Sequence, residues 1–254
     1  MTVFRFDGTF EGLLTAVFES FRLQVVPDRI EGRVPAVPDL FEEIFEIATD
    51  ESGAKRVWRK VCAKSSKETA FRLYMVFLSG LPEAPGLIYR YICHMMASPH
   101  NIDTDFTNPA VWAVADIHRK VARETHRVHM FTRFQQTAEN TFYASVAPRY
   151  DVLPLATAHF RDRFAEAEWV IYDLARNYGI FHRNGTAERI TFTEVPAGPG
   201  NGNLREELLH PDETAFRALW KDYYQSATIA ERKNVRLQRQ RMPVRFWQYL
   251  TEKQ

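Results

Sequence analysis

Hydrophobic residues follow two different spacings along the chain, and the spacing changes near residue 128. In the first half they recur every three or four positions, as in Phe10, Leu13, Leu14 and Val17, which is typical of amphipathic helices. In the second half, shorter runs have the length and composition of strands. These predicted strands are Met130 to Gln136, Thr141 to Ala147, Glu168 to Leu174 and Gly179 to Arg183.

The strongest local signal is the pair Asn184-Gly185. It predicts a two-residue hairpin turn, because both central positions of a type I′ turn need a positive φ. The alternating segment Glu188 to Glu194 completes this hairpin, and Asp151 opens a helix over Val152 to Phe164. We therefore predict a mainly antiparallel sheet that one helix interrupts.

The last fifty residues predict helices again. Pro211 begins one, whose inner face is expected to carry Phe216, Leu219, Trp220, Tyr223 and Ala227. Residues Thr228 to Gln240 are predicted to stay helical until Met242-Pro243, after which Phe246, Trp247 and Leu250 hold the end of the chain in place.

The predicted fold class is α+β, in one domain over residues 1–254. A mostly helical part, about 1–128, is expected to pack on a central, mainly antiparallel sheet at about 129–195. A helical, basic segment follows at about 204–254.

Composition narrows the function classes. The 254 residues are 45% apolar and 26% charged with a net charge of +1, so any nucleic-acid surface must be a local patch. The first residues do not form a signal peptide, and no run reaches the roughly 20 apolar residues of a membrane span. We expect a cytoplasmic protein with no membrane partner, in which the two cysteines, Cys62 and Cys93, are buried and inert.

Motifs for cofactors and metals are missing from the sequence. It has no P-loop, no GxGxxG and no HExxH, and the pair His126 and His129 lacks the further ligands of a metal site. We predict neither a cofactor nor a metal.

The basic segment Glu231 to Arg245 is the first candidate site. On a helix, Arg232, Arg236 and Arg239 share one face, where like charges repel unless an anion lies between them. Contact with phosphates and simple solvation of the helix face are equally good interpretations. The candidate phosphate contacts in this segment are Arg232, Lys233, Arg236, Arg239, Arg241 and Arg245.

The sheet region supplies the second candidate set. Arg133 and Gln135 are predicted on a polar sheet face, and Arg163 lies on the intervening helix. Asp173 and His159 are the candidate catalytic groups, either of which can act as a general base. The alternative is that these residues form structural hydrogen bonds near the core, as buried polar groups usually do.

Several stretches together resemble a bacterial family associated with DNA metabolism and DNA repair. The resemblance spans nearly the whole chain in order, and Val235 stands where the family commonly has proline. The stretches are Phe6 to Glu19, Thr49-Asp50, Glu124 to Arg127 with Arg133-Phe134, Val152 to Leu155, His159 to Phe164 and Ile229 to Leu237.

The resemblance implies a partner that is a radical-SAM protein, and a relation to proteins fused to a uracil-DNA-glycosylase-like domain. The partner would hold its own iron–sulfur cluster, since this chain lacks the cysteines. The first hypothesis is a DNA-binding accessory factor. The second is a DNA-processing enzyme, such as a glycosylase or hydrolase, acting through Asp173, His159, Arg133 and Arg163. The third is a scaffold for the radical-SAM partner.

Overall fold

The computed structural model describes residues 1–32, 42–198, 202–229, 231 and 234–254. These residues divide into two compact units, an N-terminal unit (1–122) and a C-terminal unit (123–254). The boundary falls within one long helix, α5, Pro109–Phe131. The α+β class is confirmed, whereas a single-domain organisation stays a prediction.

The N-terminal unit is built on a short parallel sheet. Its central strand β1, Thr2–Phe6, pairs with β2, Arg29–Gly32, on one side and with β3, Glu43–Glu46, on the other. The sequence predicted β1 correctly but not the parallel pairing. Helices follow the strands: α1 Phe10–Leu23, α2 Glu51–Lys64, α3 Lys67–Phe77 and α4 Ala84–Ala97.

Side-chain caps fix where the first helices begin. The Thr9 hydroxyl accepts a hydrogen bond from the Gly12 amide at 2.9 Å, and the Asp50 carboxylate accepts one from the Ser52 amide at 2.9 Å. Both caps satisfy amides that the helix itself leaves without a partner. Buried apolar residues then line the helices, among them Leu13 and Val17 of α1. The predicted amphipathic helices of this half are thereby confirmed.

The C-terminal unit contains a mixed five-stranded sheet in the order β4-β5-β6-β7-β8. Three of its neighbouring pairs are antiparallel, but β5 and β6 are parallel, because helix α6, Leu153–Arg163, connects them. The strands are β4 Gln135–Gln136, β5 Phe142–Val146, β6 Trp169–Asp173, β7 Tyr178–Arg183 and β8 Thr186–Ile190.

The prediction of a mainly antiparallel sheet was therefore wrong for the protein as a whole, since one sheet is parallel and the other mixed. The hairpin at Asn184-Gly185 is confirmed, with φ of 51° and 77° at the two turn residues. The predicted strand Met130 to Gln136 was mostly wrong, because α5 continues to Phe131 and only Gln135–Gln136 pairs.

Two helices lie near the end of the chain, α7 at Glu213–Ser226 and α8 at Val235–Arg241. The prediction of one helix through Thr228 to Gln240 was wrong, because α7 ends at Ser226 and α8 starts only after Asn234. The last residues form 3-10 turns at Val244–Tyr249 and Thr251–Lys253. Phe246 and Leu250 are buried there against Phe131, so the predicted attachment of the chain end is confirmed.

Candidate nucleic-acid interface

Helix α8 carries a group of exposed cations. The Asn234 side chain caps it by accepting a hydrogen bond from the Leu237 amide at 2.9 Å. Arg236, Arg239 and Arg241 are all exposed, and their side chains form no ion pair within the described part of the chain. Because these three charges have no carboxylate partner there, they are free to meet an external anion.

A groove of about 670 Å³ is lined by residues of both α7 and α8, and Arg241 is the one of these three arginines that lines it. Tyr224 lies in it, and its hydroxyl accepts hydrogen bonds from Lys253 Nζ at 3.0 Å and from Gln238 Nε2 at 3.2 Å. The Lys253 ammonium also lies 5.3 Å from the centre of the Trp247 ring. The groove therefore combines two cations, Arg241 and Lys253, with the ring of Tyr224.

An exposed aromatic stripe follows α7. Phe216 and Tyr223 are 55% and 63% exposed, and Leu219 and Trp220 lie between them on the same face. The sequence predicted this stripe as the inner face of the helix, together with Ala227, and that prediction was wrong because the face is open to solvent. Ring faces next to cations are a surface on which bases of single strands stack.

We use the name α7–α8 surface for this region. It consists of the stripe on α7 (Phe216, Leu219, Trp220 and Tyr223), the three arginines of α8 (Arg236, Arg239 and Arg241) and Lys253.

Arg133 lies near Trp220 of this surface, but all three of its guanidinium nitrogens already donate hydrogen bonds within the protein. Its Nη2 donates to Glu252 Oε1 at 2.7 Å, and its Nη1 donates to the backbone oxygen of Met130 at 2.9 Å. Trp220 Nε1 donates to the second oxygen of Glu252 at 2.8 Å. Although burial opposes ionisation of Glu252, these hydrogen bonds outweigh it and lower the pKa of the carboxyl. Arg133 thus ties the chain end to the end of α5.

Arg245 is also paired with a buried carboxylate, although its own side chain is 38% exposed. Its guanidinium donates to the buried carboxylate of Glu124, which also accepts from Arg127 at 3.4 Å and from the Arg149 amide at 2.7 Å. The remaining predicted cations differ. Arg163 is exposed with no carboxylate partner in the described ranges, whereas Arg232 and Lys233 lie outside the residues described.

The two candidate catalytic groups lie in different surroundings. Asp173 is fully buried at the end of β6, where it accepts hydrogen bonds from Arg176 Nη1 at 2.8 Å and from the Ala175 amide at 2.9 Å. Burial raises its pKa, against the effect of those donors. These contacts stabilise the turn after β6. Structural hydrogen bonding of this kind was the alternative to a catalytic role for Asp173.

His159 is exposed on α6 and stacks on His129, with ring centres 4.2 Å apart. Burial, followed by the charges of His159 and His126, lowers the pKa of His129 to about 4. No hydrogen bond or ion pair joins His159 to Asp173 in the part of the chain that the structure describes. The structure therefore does not bring the two candidate catalytic groups together.

The polar side chains of the predicted sheet face are already hydrogen-bonded within the protein. Gln135 is buried, and its oxygen accepts hydrogen bonds from Arg217 Nη2 at 2.6 Å and from the Leu204 amide at 2.8 Å. Arg217 in turn donates to Glu213 at 3.2 Å. Sequence reasoning missed this network, and it also missed Tyr224 and Lys253. Each depends on distant segments meeting, for which no local signal exists.

The residues that the structure describes contain no group of three or more His, Cys, Asp or Glu residues able to hold a metal ion. No helix among them has both the length and the apolar character needed to cross a membrane.

Fold and surface define an α+β protein with an open cationic and aromatic surface near its carboxyl end. A model of DUF4130, a domain of unknown function, matches residues 82–252, and the chain belongs to that family. No curated protein matches the chain, and no solved structure does.

Proposed function

We propose that this protein is a DNA-binding accessory factor and that its α7–α8 surface contacts single-stranded DNA. The observation that carries the proposal is the set of three exposed arginines on α8 that have no carboxylate partner within the described residues, on a helix that shares a groove with α7 and its exposed rings. Cations hold the phosphates of a strand, and aromatic faces stack with its bases. A duplex offers no free base faces, so the aromatic stripe favours a single strand.

The resemblance to a family that partners a radical-SAM protein supports an accessory role. In that role the protein would hold DNA for a radical-SAM or uracil-DNA-glycosylase-type partner enzyme. The alternative, a DNA-processing enzyme acting through Asp173 and His159, has less support because Asp173 is buried in a turn and His159 stacks on His129.

The test separates charge from stacking. Fluorescence anisotropy gives the affinity for a single-stranded 20-mer at several salt concentrations, for the wild type and two variants. Replacing Arg236, Arg239 and Arg241 with Ala should lower the slope of log affinity against log salt by about 2, since each lost phosphate contact removes about 0.7. Replacing Phe216 and Tyr223 with Ala should weaken binding at least tenfold but keep the slope, because stacking releases no counterions.

A matched control removes the same charge elsewhere. Arg22, Arg161 and Arg183 are exposed but paired with Glu19, Asp162 and Glu168, so replacing all three with Ala also lowers the net charge by three. We expect this control to keep nearly all of the salt dependence. Equal slopes for the two triple variants would show that net charge, and not the α7–α8 surface, governs binding.

A further inference from the structure

A second candidate site lies in the N-terminal unit, in a cavity of about 540 Å³. It is formed by α3, the loop before α5 and the first part of α5. Its volume is in the range of small-molecule pockets, about 300 to 1,000 Å³. Its lining includes Arg72, Asp103, Phe106, Trp112, His118 and Arg119.

Arg72 lines this cavity, and its side chain forms no hydrogen bond with another described residue. Its Nε is buried and has no hydrogen-bond acceptor, and its side chain forms no ion pair within the described ranges. Leaving a buried donor unsatisfied costs about 1 to 3 kcal/mol, more when the group is charged. An acceptor supplied by a ligand would remove that cost, and a guanidinium is well shaped for the oxygens of a phosphate.

Asp103 lines the same cavity, but it forms no direct ion pair with Arg72 within the described residues. Asp103 accepts hydrogen bonds from Thr69 Oγ1 at 2.5 Å and from Tyr91 Oη at 2.6 Å. Burial would raise the pKa of Asp103, but these donors outweigh it and hold the pKa below its ordinary value. Asp103 is therefore an ionised group whose hydrogen-bonding positions are used within the protein.

His118 is a second polar group facing the same cavity. No hydrogen bond is formed by its ring in the described chain, and burial together with the charge of Arg72 lowers its pKa. Arg119 is held to Asp116 at 3.1 Å. The groups left to receive an anion are thus Arg72 and His118, and an anion would favour the protonated form of His118.

Two aromatic side chains lie at this cavity with much of their surface in water. Phe106 is 54% exposed and Trp112 is 56% exposed. Covering an exposed ring with a planar apolar surface is favourable, and the free energy falls by about 25 cal/mol for each Å² of apolar surface buried. A planar aromatic ligand that also carries an anion would use both the rings and the two polar groups.

We propose that this cavity binds a nucleotide, with its phosphate on Arg72 and His118 and its base against Trp112 and Phe106. The inference goes beyond the proposed function, because it uses residues of the N-terminal unit and none of the α7–α8 surface. The chemistry suits either a free mononucleotide or the phosphorylated end of a strand. In both cases a phosphate monoester is attached to a nucleoside.

Calorimetric titration of the full chain tests the proposal. The probes are the four deoxynucleoside 5′-monophosphates, the corresponding nucleosides, inorganic phosphate and a trinucleotide with and without a 5′-phosphate. We expect monophosphates to bind at least tenfold more tightly than either nucleosides or phosphate. A gain for the phosphorylated trinucleotide over the monophosphates would identify a strand end as the ligand, and no gain would identify a free nucleotide. Absence of nucleotide binding would overturn the proposal.

Variants locate the site. Arg72→Gln and Trp112→Ala should each weaken monophosphate binding at least tenfold, and Arg72→Lys should also weaken it, since lysine lacks the planar fork. Arg59→Gln and Phe21→Ala, at exposed positions of the same unit, should leave binding unchanged. Equal binding by all five variants would overturn the assignment. Circular dichroism would confirm that each is folded.

The two proposals fail separately. Replacing Arg236, Arg239 and Arg241 should leave mononucleotide binding intact, and Arg72→Gln should leave the salt slope for the 20-mer intact. If the α8 variant alone lost mononucleotide binding, the nucleotide would belong to the α7–α8 surface and the cavity proposal would be wrong.

Discussion

Arginines in two parts of the C-terminal unit have opposite surroundings. Arg133 and Arg245 meet the buried carboxylates of Glu252 and Glu124, and their charge is used to hold the chain end in place. The arginines of α8 meet no carboxylate in the described chain. All were equivalent as positive charges in the sequence. The comparison shows that the number of cations in a segment does not measure the cationic surface that the fold leaves open.

The largest expected difference between the two regions is in stability. Arg133→Ala leaves Glu252, whose side chain is 2% exposed, without its cation, and removing one partner of a buried ion pair costs about 3 kcal/mol or more. Arg239→Ala removes an exposed, unpaired side chain and should change the free energy of unfolding by less than about 0.5 kcal/mol. Urea denaturation followed by circular dichroism measures both.

In DNA binding the order of the two variants should be reversed, so that Arg239→Ala has the larger effect. Arg239→Ala is expected to reduce the salt slope for the single-stranded 20-mer by about 0.7, whereas Arg133→Ala should leave it unchanged. If Arg133→Ala reduced the slope by a similar amount, then Arg133 would contact phosphate and the division into closed and open arginines would be wrong.

Local signals in the sequence predicted local structure well. The turn at Asn184-Gly185 was predictable because the backbone conformation depends on those two residues alone. The end of α5 was not, because the short run Met130 to Gln136 fits a strand as well as a helix and the decision rests on tertiary packing of Phe131.

The candidate site was predictable only in part, for the same reason. The α7 stripe was visible from its spacing, but spacing does not say whether a second element covers the face. Arg133 could not be assigned to Glu252 from sequence, since 119 residues separate them. Arg72 and His118 gave no signal at all, because their meeting depends on how α3 and α5 pack.

His129, which stacks on His159, differs from both groups of arginines, because the fold keeps this potential cation neutral. The pKa of His129 is lowered to about 4 in the folded protein, against an unfolded value of about 6.5. Between these two pH values the unfolded chain binds a proton at His129 that the folded chain does not bind. The free energy of unfolding is therefore unaffected by His129 above about pH 6.5 and decreases as the pH falls towards 4. After a discount for the exposed part of the ring, we expect a loss of about 1 kcal/mol between pH 7 and pH 5.

Replacing His129 with Gln should remove this part of the pH dependence. The relevant measurement is the difference between wild type and variant in the change of unfolding free energy from pH 7 to pH 5, by urea denaturation at both values. The charges of His159 and His126 also act on this ring and both residues are kept in the variant, so the difference between the two proteins isolates His129. His100→Gln, at an exposed position, should behave like the wild type. An equal pH effect in all three proteins would contradict a neutral His129.

The smallest expected effect comes from a variant that keeps the number of exposed arginines on α8 but makes their positions less fixed. Asn234 caps α8, and replacing it with Ala costs a helix about 1 kcal/mol, which matters for a helix of seven residues. Arg236, Arg239 and Arg241 keep their charges in this variant, but their spacing on the helix becomes less fixed. We therefore expect affinity for the 20-mer to fall about two- to threefold with the salt slope unchanged, since ordering the segment on binding opposes association.

The matched control is Thr9→Ala, which removes the same kind of cap from α1 in the N-terminal unit. It should cost a similar amount of stability and leave DNA affinity as it is. Weaker binding by both variants would attribute the effect to general loss of stability. Unchanged binding by Asn234→Ala would show that the arginines act as a diffuse charge that does not need a helix. Only a loss confined to the Asn234 variant supports α8 as an arranged set of phosphate contacts.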